Sequence, residues 1–336
     1  MALGGGHGLA AALAALRRLT PNVTAVVTVA DDGGSSGRLR RELGAVPPGD
    51  LRMALAALAG DDEWGRTWAE LLQHRFGGTG ALAGHPVGNL LLTGLAETLG
   101  DPVAALDAAA RLVGAVGRVL PMSTLPLEIS AEVTGLDDAD PDRVHRIRGQ
   151  VAVATTCGRV VAVDLVPKGP PACPAAVVAI RAADLVVLGP GSWFTSVLPH
   201  VLVPDLLAAL VETSARRVVA LNLAAQPGET AGFSSRQYLD ALAAHAPGLR
   251  VDVVVADVDA VSDARGLMSA VSALGGRLVL APVAAGDGTP RHDPALLAQA
   301  FRELLPVGTG ADGTAQRDGS AEVGPGGRGT GVRGWR

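Results

Sequence analysis

Two textures alternate along the chain, and this alternation constrains the fold most. Thr24–Ala30 (TAVVTVA), Asp184–Leu188 (DLVVL), Arg217–Leu223 (RVVALNL), Val251–Ala256 (VDVVVA) and Arg277–Ala281 (RLVLA) are short, nearly unbroken apolar runs rich in β-branched residues. Between them, Ala/Leu-rich segments carry helical periodicity at about Leu9–Leu19, Leu51–Ala59, Val87–Leu99, Leu206–Thr213, Ser235–His245 and Pro294–Leu305. Strands without polar alternation are the kind buried on both faces, and strands that alternate with helices form parallel sheets. The expected fold is therefore α/β: a Rossmann-like, mostly parallel sheet with helices on both faces. Asp50, Ser234 and Asp293 are the expected N-caps of three helices. Leu127–Val133 and Val151–Val166 follow each other with turn signals and no helix between, which predicts a small antiparallel insertion at about 127–166. The first strand is anomalous, because only Met1, Ala2 and Leu3 precede a glycine run. Either it is a stub or the native start lies upstream.

Composition narrows the function. Hydrophobic residues make up 48% of the 336 and charged residues 18%, enough to bury a large core. The net charge is −5, aromatics are 3%, and Lys168 is the single lysine among 28 basic residues. Such a chain lacks both the basic footprint and the stacking platforms of a nucleic-acid binder. Arg181 and Asp184 interrupt the longest apolar stretch, so no membrane span is expected. Met1 leads into glycines without a basic or apolar leader, and Cys157 and Cys173 are too few for a disulfide framework. The expectation is a cytoplasmic protein. One domain is expected over 1–306; Val307–Arg336 is Gly-rich, nearly free of large apolar residues, and predicted to be a disordered tail.

Open parallel sheets bind ligands beyond the carboxyl ends of their strands, so the loops there carry the functional signal. Gly4, Gly5, Gly6, His7 and Gly8 open into the first helix; such a loop either cradles a phosphate or simply makes a tight turn. After the next strand come Asp31, Asp32, Gly33, Gly34, Ser35, Ser36, Gly37 and Arg38. The paired carboxylates suit a hard cation or a base, and Arg38 suits a phosphate clamp; the alternative is an acidic surface loop. Gly33-x-Ser35-x-Gly37 matches a nucleophile elbow only accidentally, because two Asp and two Gly separate the serine from the strand. His85 and Asn89 stand where an apolar helix begins. Gly189, Gly191, Ser192, Thr195 and Ser196 form a second strand-end glycine loop with hydroxyls, and Asn222 ends the next strand ahead of Gln226-Pro-Gly-Glu-Thr. Four polar loops on one rim point to a phosphorylated ligand. His74, His145, His200 and His245 show no metal-ligand spacing and are read as structural.

Taken together, Thr28–Arg40 (TVADDGGSSGRLR), Pro47–Arg52 (PPGDLR), Gly84–Leu91 (GHPVGNLL), Gly189–Pro199 (GPGSWFTSVLP) and Gln226–Phe233 (QPGETAGF) closely resemble the gluconeogenesis-factor (YvcK-like) family. That family belongs to the CofD-like superfamily of 2-phospho-L-lactate transferases, and the similarity runs from Gly4 to about Leu305. The resemblance implies a Rossmann-like protein that binds UDP-sugars, notably UDP-N-acetylglucosamine. It also implies a role in cell shape and peptidoglycan precursor control during growth on gluconeogenic carbon, and a homodimer. By the same resemblance Asp31 and Asp32 match the acidic pair that holds a metal, with magnesium as the expected ion. Gly33–Ser36 match the nucleotide-facing loop, and Arg291-His292 matches a basic pair before the last helix. Two positions depart from the family pattern, His7 in place of threonine and Met53 in place of asparagine. They favour a binding regulator over an enzyme. The runner-up is a metal-dependent phospholactate transferase acting on a deazaflavin precursor.

Overall fold

The computed structural model describes residues 1–305, which form one compact unit; the expected tail at 307–336 lies outside the described residues. Seven strands make one wholly parallel sheet: β1 (Ala2–Gly4), β2 (Thr24–Val27), β3 (Arg118–Pro121), β7 (Leu185–Leu188), β8 (Arg216–Ala220), β9 (Val253–Asp257) and β10 (Arg277–Ala281). Across the sheet they run β3-β2-β1-β7-β8-β9-β10. The chain thus builds outward from β1 in one direction, then returns and builds in the other. β1 and β7 flank the switch point where a crevice must open between diverging connections. β1, β7 and β9 are buried at every position, as their unbroken apolar sequences predict for strands covered on both faces. β1 is only three residues long yet central, pairing β2 on one side and β7 on the other.

The helices are α1 (Gly6–Leu16), α2 (Gly34–Leu43), α3 (Gly49–Leu58), α4 (Glu63–Gln73), α5 (Val87–Leu99), α6 (Pro102–Leu112), the short α7 (Gln150–Ala154), α8 (Pro174–Arg181), α9 (Pro204–Glu212), α10 (Ser235–His245), α11 (Ala264–Ala273) and α12 (Pro294–Arg302). In α1, Leu9, Leu13 and Leu16 fall on one stripe and are fully buried, each contributing about 1.5–3 kcal/mol. The caps at Ser234 and Asp293 are as expected: Ser234 forms a capping box with Gln237, and the Asp293 carboxylate accepts from the N–H groups of Ala295 and Leu296. Asp50 is not a cap. α3 begins two residues earlier than expected, with Pro48 at the N-cap, which places Asp50 inside the first turn and frees its carboxylate for the site.

The antiparallel insertion is a three-stranded sheet, β5 (His145–Arg148), β4 (Glu128–Thr134) and β6 (Arg159–Val166), in the order β5-β4-β6. The expectation of a continuous strand from Val151 is corrected, because 150–154 form α7. The β-branched run there is too short of turn residues to reveal a helix. Its start is set by Gly149 at φ 97 and by the Asp32 carboxylate, which accepts from the N–H of Val151 (3.0 Å).

At the switch point the two glycine loops touch. A Cβ at Gly8 would overlap the Pro190 carbonyl and stand 2.6 Å from Gly191 Cα, so only glycine permits this approach. Asn222, just beyond β8, fixes the second loop: its Oδ1 accepts from Gly191 N (2.9 Å) and its Nδ2 donates to Gly191 O (2.8 Å). Gly8→Ala is therefore expected to destabilise by about 1–3 kcal/mol in urea unfolding, because its neighbours are backbone. Gly94→Ala, exposed in the middle of α5 with nothing within 4 Å of its Cβ, is expected to stabilise by about 0.5–1 kcal/mol.

Candidate functional site

The crevice at the switch point is a cavity of about 520 Å³. One wall is His7, Gly8 and Ala11 of the α1 turn; another is Pro190, Gly191, Ser192, Asn222 and Gln226; Ala154 of α7 and Pro290–His292 complete it. Eight of the residues predicted from sequence thus meet around one space: His7, Gly8, Gly191, Ser192, Asn222, Gln226, Arg291 and His292. Gly4, Gly5 and Gly6 carry the loop into α1, with Gly6 at φ +58, a conformation glycine adopts without strain. The first N–H groups of α1 have no partner within the helix and give this wall a positive character.

The opposite wall is basic at its rim. Arg291 is held by Asp287, whose Oδ2 accepts from Nη2 (2.6 Å), and by Thr289, whose Oγ1 accepts from Nε (2.9 Å). The hydroxyl and N–H of Thr289, then Arg291, hold the Asp287 carboxyl down to about 2. His292 lies half buried with Nε2 3.2 Å from the Leu221 carbonyl, and burial keeps its pKa below the usual imidazole value. A flexible guanidinium fixed in this way is presented to an anion at a low entropic cost.

Glu229 was quoted in the Gln226–Phe233 motif but not among the site residues. It lines the same cavity, is 2% exposed, and burial pushes its carboxyl up to about 7. The backbone N–H groups of Trp193 and Phe194 and the hydroxyls of Thr195 and Ser192 face it and favour its charged form, but neither oxygen makes a well-formed hydrogen bond. Thr195 and Gly189 are thereby placed behind the cavity rather than in its wall. Thr195 is buried against Glu229, and Gly189 sits at φ +74, where a Cβ would stand 2.9 Å from the Ala220 carbonyl.

The acidic loop gathers a second cluster of polar side chains next to the first glycine loop. Asp31 and Asp32 diverge. Asp32 is committed to α7 through Val151, and Gly149 packs on its carboxylate. Asp31 turns back, accepting from Gly33 N (2.9 Å), and lies against Gly49 beside Ser36. The carboxylate that joins Asp31 is Asp50, which packs against Gly5 and Thr28 and has no partner for Oδ2. Burial first, then the Asp31 charge, pushes Asp50 up to about 7, against the pull of the Gly6 N–H and of Arg52. Behind the pair runs a buried polar chain. His85 Nδ1 lies 2.7 Å from Ser35 Oγ, Asn89 Nδ2 donates to Ser35 Oγ (3.0 Å), and Arg52 Nη1 donates to Asn89 Oδ1 (2.9 Å). Burial, then the Arg75 charge, lowers Arg52 to about 10. Gly34, Ser35 and Ser36 open α2, while Arg38 points away and donates to the carbonyls of Ala81 and Ala83. Among the described residues no three His, Cys, Asp or Glu side chains converge as a metal cluster.

The sequence reading missed Asp50, Arg52 and His85 as members of this cluster. Their signal was position: each is a polar residue at or just before a helix start, beside a strand-end loop already singled out. The pKa of Asp50 has a checkable consequence. Its folded-state value exceeds its unfolded value, so the folded protein keeps a proton that the unfolded chain has lost, and stability falls as pH rises from about 4 to 7. Asp50→Asn should match the wild type near pH 4 and exceed it by about 2–4 kcal/mol at pH 8. A stability difference between the two proteins that does not grow with pH would contradict this.

Comparison with known proteins agrees with this architecture. The family described as 2-phospho-L-lactate transferase CofD matches residues 1–270. A Mycobacterium tuberculosis protein (strain ATCC 25618 / H37Rv), provisionally named a gluconeogenesis factor, is 58% identical over 349 residues, covering 100% of this chain and 98% of its own length. The gluconeogenesis factor of Bacillus subtilis (strain 168) is 35% identical over 260 residues, covering 77% of this chain and 78% of its own. A crystal structure of a UPF0052 family member from Bacillus halodurans superposes with a TM-score of 0.79 at 33% identity, covering 89% of this chain and 97% of that one. On this fold, these loops and this similarity, the chain belongs to the CofD family, in its gluconeogenesis-factor branch.

Proposed function

We propose that this protein binds a nucleotide sugar, UDP-N-acetylglucosamine foremost, in the switch-point cavity, and acts as a regulator of cell shape and peptidoglycan precursor supply during gluconeogenic growth. The observation that carries this reading is the pairing of an α1 N-terminus behind glycines with a braced Arg291 across a cavity of about 520 Å³. A diphosphate needs donors on more than one side, and with one lysine in the chain the donors are backbone N–H groups and arginine. The cavity size is in the range of small-ligand sites. The names of the relatives support the physiological setting.

The second reading, a metal-dependent transferase, is favoured by the Asp31–Asp50 pair. Asp50 Oδ2 is buried beside Gly5 without a partner and feels the Asp31 charge, and Asp31 and Ser36 oxygens meet at the adjoining Gly49, oxygen donors of the kind a hard divalent cation takes. When bound there, magnesium would neutralise phosphate charge. Asp31 and Asp50 would hold it, and Asp32 would keep the α7 turn in place.

Calorimetric titration with UDP, UDP-N-acetylglucosamine and GDP separates the readings. Saturable binding of the UDP-sugar without turnover is expected, whereas magnesium-dependent phospholactyl transfer would establish the second reading. Arg291→Ala should weaken UDP-N-acetylglucosamine binding about ten- to a hundredfold on a folded protein, because a charge-assisted hydrogen bond to phosphate is worth about 1.5–3 kcal/mol. Arg291→Lys should restore part of it. Unchanged affinity in Arg291→Ala would remove this residue from the site.

A further inference from the structure

β9 ends in a carboxylate. Asp257 is the last residue of that strand, on the rim where open parallel sheets take their ligands. A free carboxylate there would suit a sugar hydroxyl or a metal ion. Asp257 is not free. Its Oδ1 accepts from the N–H of Asp259 (2.9 Å), and its Oδ2 accepts from the N–H groups of Val283 (2.8 Å) and Ala284 (3.0 Å). Burial would raise its carboxyl, but the N–H groups of Val283, Asp259 and Ala284 outweigh burial and hold it below the usual carboxylate range. The carboxylate is 5% exposed, stays charged, and spends its acceptors on backbone.

Val283 and Ala284 begin the arch that carries Arg291. After β10 the chain runs out through Val283–Ala285 and returns through Arg291–Asp293. The Ala285 N–H donates to the Arg291 carbonyl (2.8 Å) and the Asp293 N–H to the Val283 carbonyl (2.9 Å), with Ala284 opposite His292 between them. Asp257 ties the outgoing leg to the end of β9. His292, with Nε2 3.2 Å from the Leu221 carbonyl, ties the returning leg to the end of β8. Arg291 itself has no comparable anchor. Its side chain is 71% exposed, and its hydrogen bonds to Asp287 and Thr289 lie within the arch. The feet of the arch therefore decide where the guanidinium stands relative to α1.

Resting on the nucleotide-sugar reading above, we infer that Asp257 is a positioning residue for Arg291. It touches no ligand, and it holds the arch where Arg291 meets the phosphates from the side opposite α1. An arch formed before binding costs a ligand less ordering than one that must form around it. Asparagine is a poor substitute at this position. It offers one oxygen where three N–H groups converge, and its own amide would turn donors toward donors.

The test is a double-mutant cycle. UDP-N-acetylglucosamine is titrated into wild type, Asp257→Asn, Arg291→Ala and the double variant, with a melting curve for each. Asp257→Asn should weaken binding about five- to thirtyfold, the size of a coupled contact. It should add almost nothing to the loss in Arg291→Ala, because the arch then carries no guanidinium to misplace. A merely structural carboxylate would cost the same affinity in both backgrounds. That result, or unchanged affinity in Asp257→Asn, overturns the inference. Hydrogen exchange on the unliganded protein gives a second measurement that needs neither a folded variant nor a bound nucleotide. In wild type the Ala285 and Asp293 amides should be protected, and rapid exchange there would overturn the inference at once. In Asp257→Asn these two amides should exchange faster, while the amides that pair β8 with β9 keep their protection. If wild type binds neither UDP nor UDP-N-acetylglucosamine and the arch amides respond as expected, the nucleotide-sugar reading fails. Asp257 then still places Arg291, for a different anion.

Discussion

The contact on which the rest depends is the approach of two backbones at the switch point. Gly8 lies directly against the Pro190 carbonyl and Gly191, and Asn222 clamps Gly191 by both its N–H and its carbonyl. This contact brings the end of β1, the end of β7 and the end of β8 into one rim, although they are far apart in sequence. It sets the depth of the cavity, the direction of α1, and the position of the turn that faces Glu229. A methyl group at residue 8 would force the Pro190 and Gly191 backbone away from α1. The glycines are therefore as much packing residues as ligand residues, and both roles follow from the same missing Cβ.

Around that contact the protein keeps two carboxylates in unfavourable surroundings. Asp50 and Glu229 are both buried, both titrate near neutrality, and both carry oxygens without partners. Hydrophobic burial over a seven-stranded sheet is large enough to tolerate them. The buried His200, by contrast, is satisfied: it sits between the carbonyls of Val26 and Val197, and burial keeps it neutral by lowering its pKa to about 4. Buried carboxylates with raised pKa values and unpartnered oxygens beside a cavity are a mark of functional sites.

Much of this architecture was legible because it depends on local pattern. The apolar runs located β2, β7, β8, β9 and β10 along the chain, and the helix over Val87–Leu99 matches the structure end to end. The cavity wall was legible because glycines at strand ends leave few alternatives. What escaped was long-range. β3 is only a four-residue run ending in proline, and although Gly114 and Gly117 set it apart from the Ala-rich helix before it, so short a stretch carries little strand pattern. Asp32 reads as half of an adjacent pair, yet its partner is the N–H of Val151, 119 positions away. Asp50 reads as a cap because Pro-Pro-Gly precedes it, and only the packing of Gly5 against its carboxylate shows otherwise. Among the described residues, no single helix is long and apolar enough to cross a membrane, in keeping with the charged interruptions in the sequence.

The five-residue helix α7 is pinned at both ends. Its first turn is held by the Asp32 carboxylate, and the carbonyl of Ala154 at its end leaves no room for a side chain at residue 228. One strut therefore spans the acidic loop and the loop that carries Gln226 and Glu229, with Ala154 forming part of the cavity wall between them. The length of chain from Gly149 to Thr155 is consequently a fixed dimension of the protein. One residue added or removed there would shift the register of both loops at once. The exposed connection from Gly135 to Val144, between β4 and β5, touches neither loop and can change length freely. Divergence in chain length within this insertion is thus channelled to its outer turn, and the inner one serves as a gauge block for the width of the site.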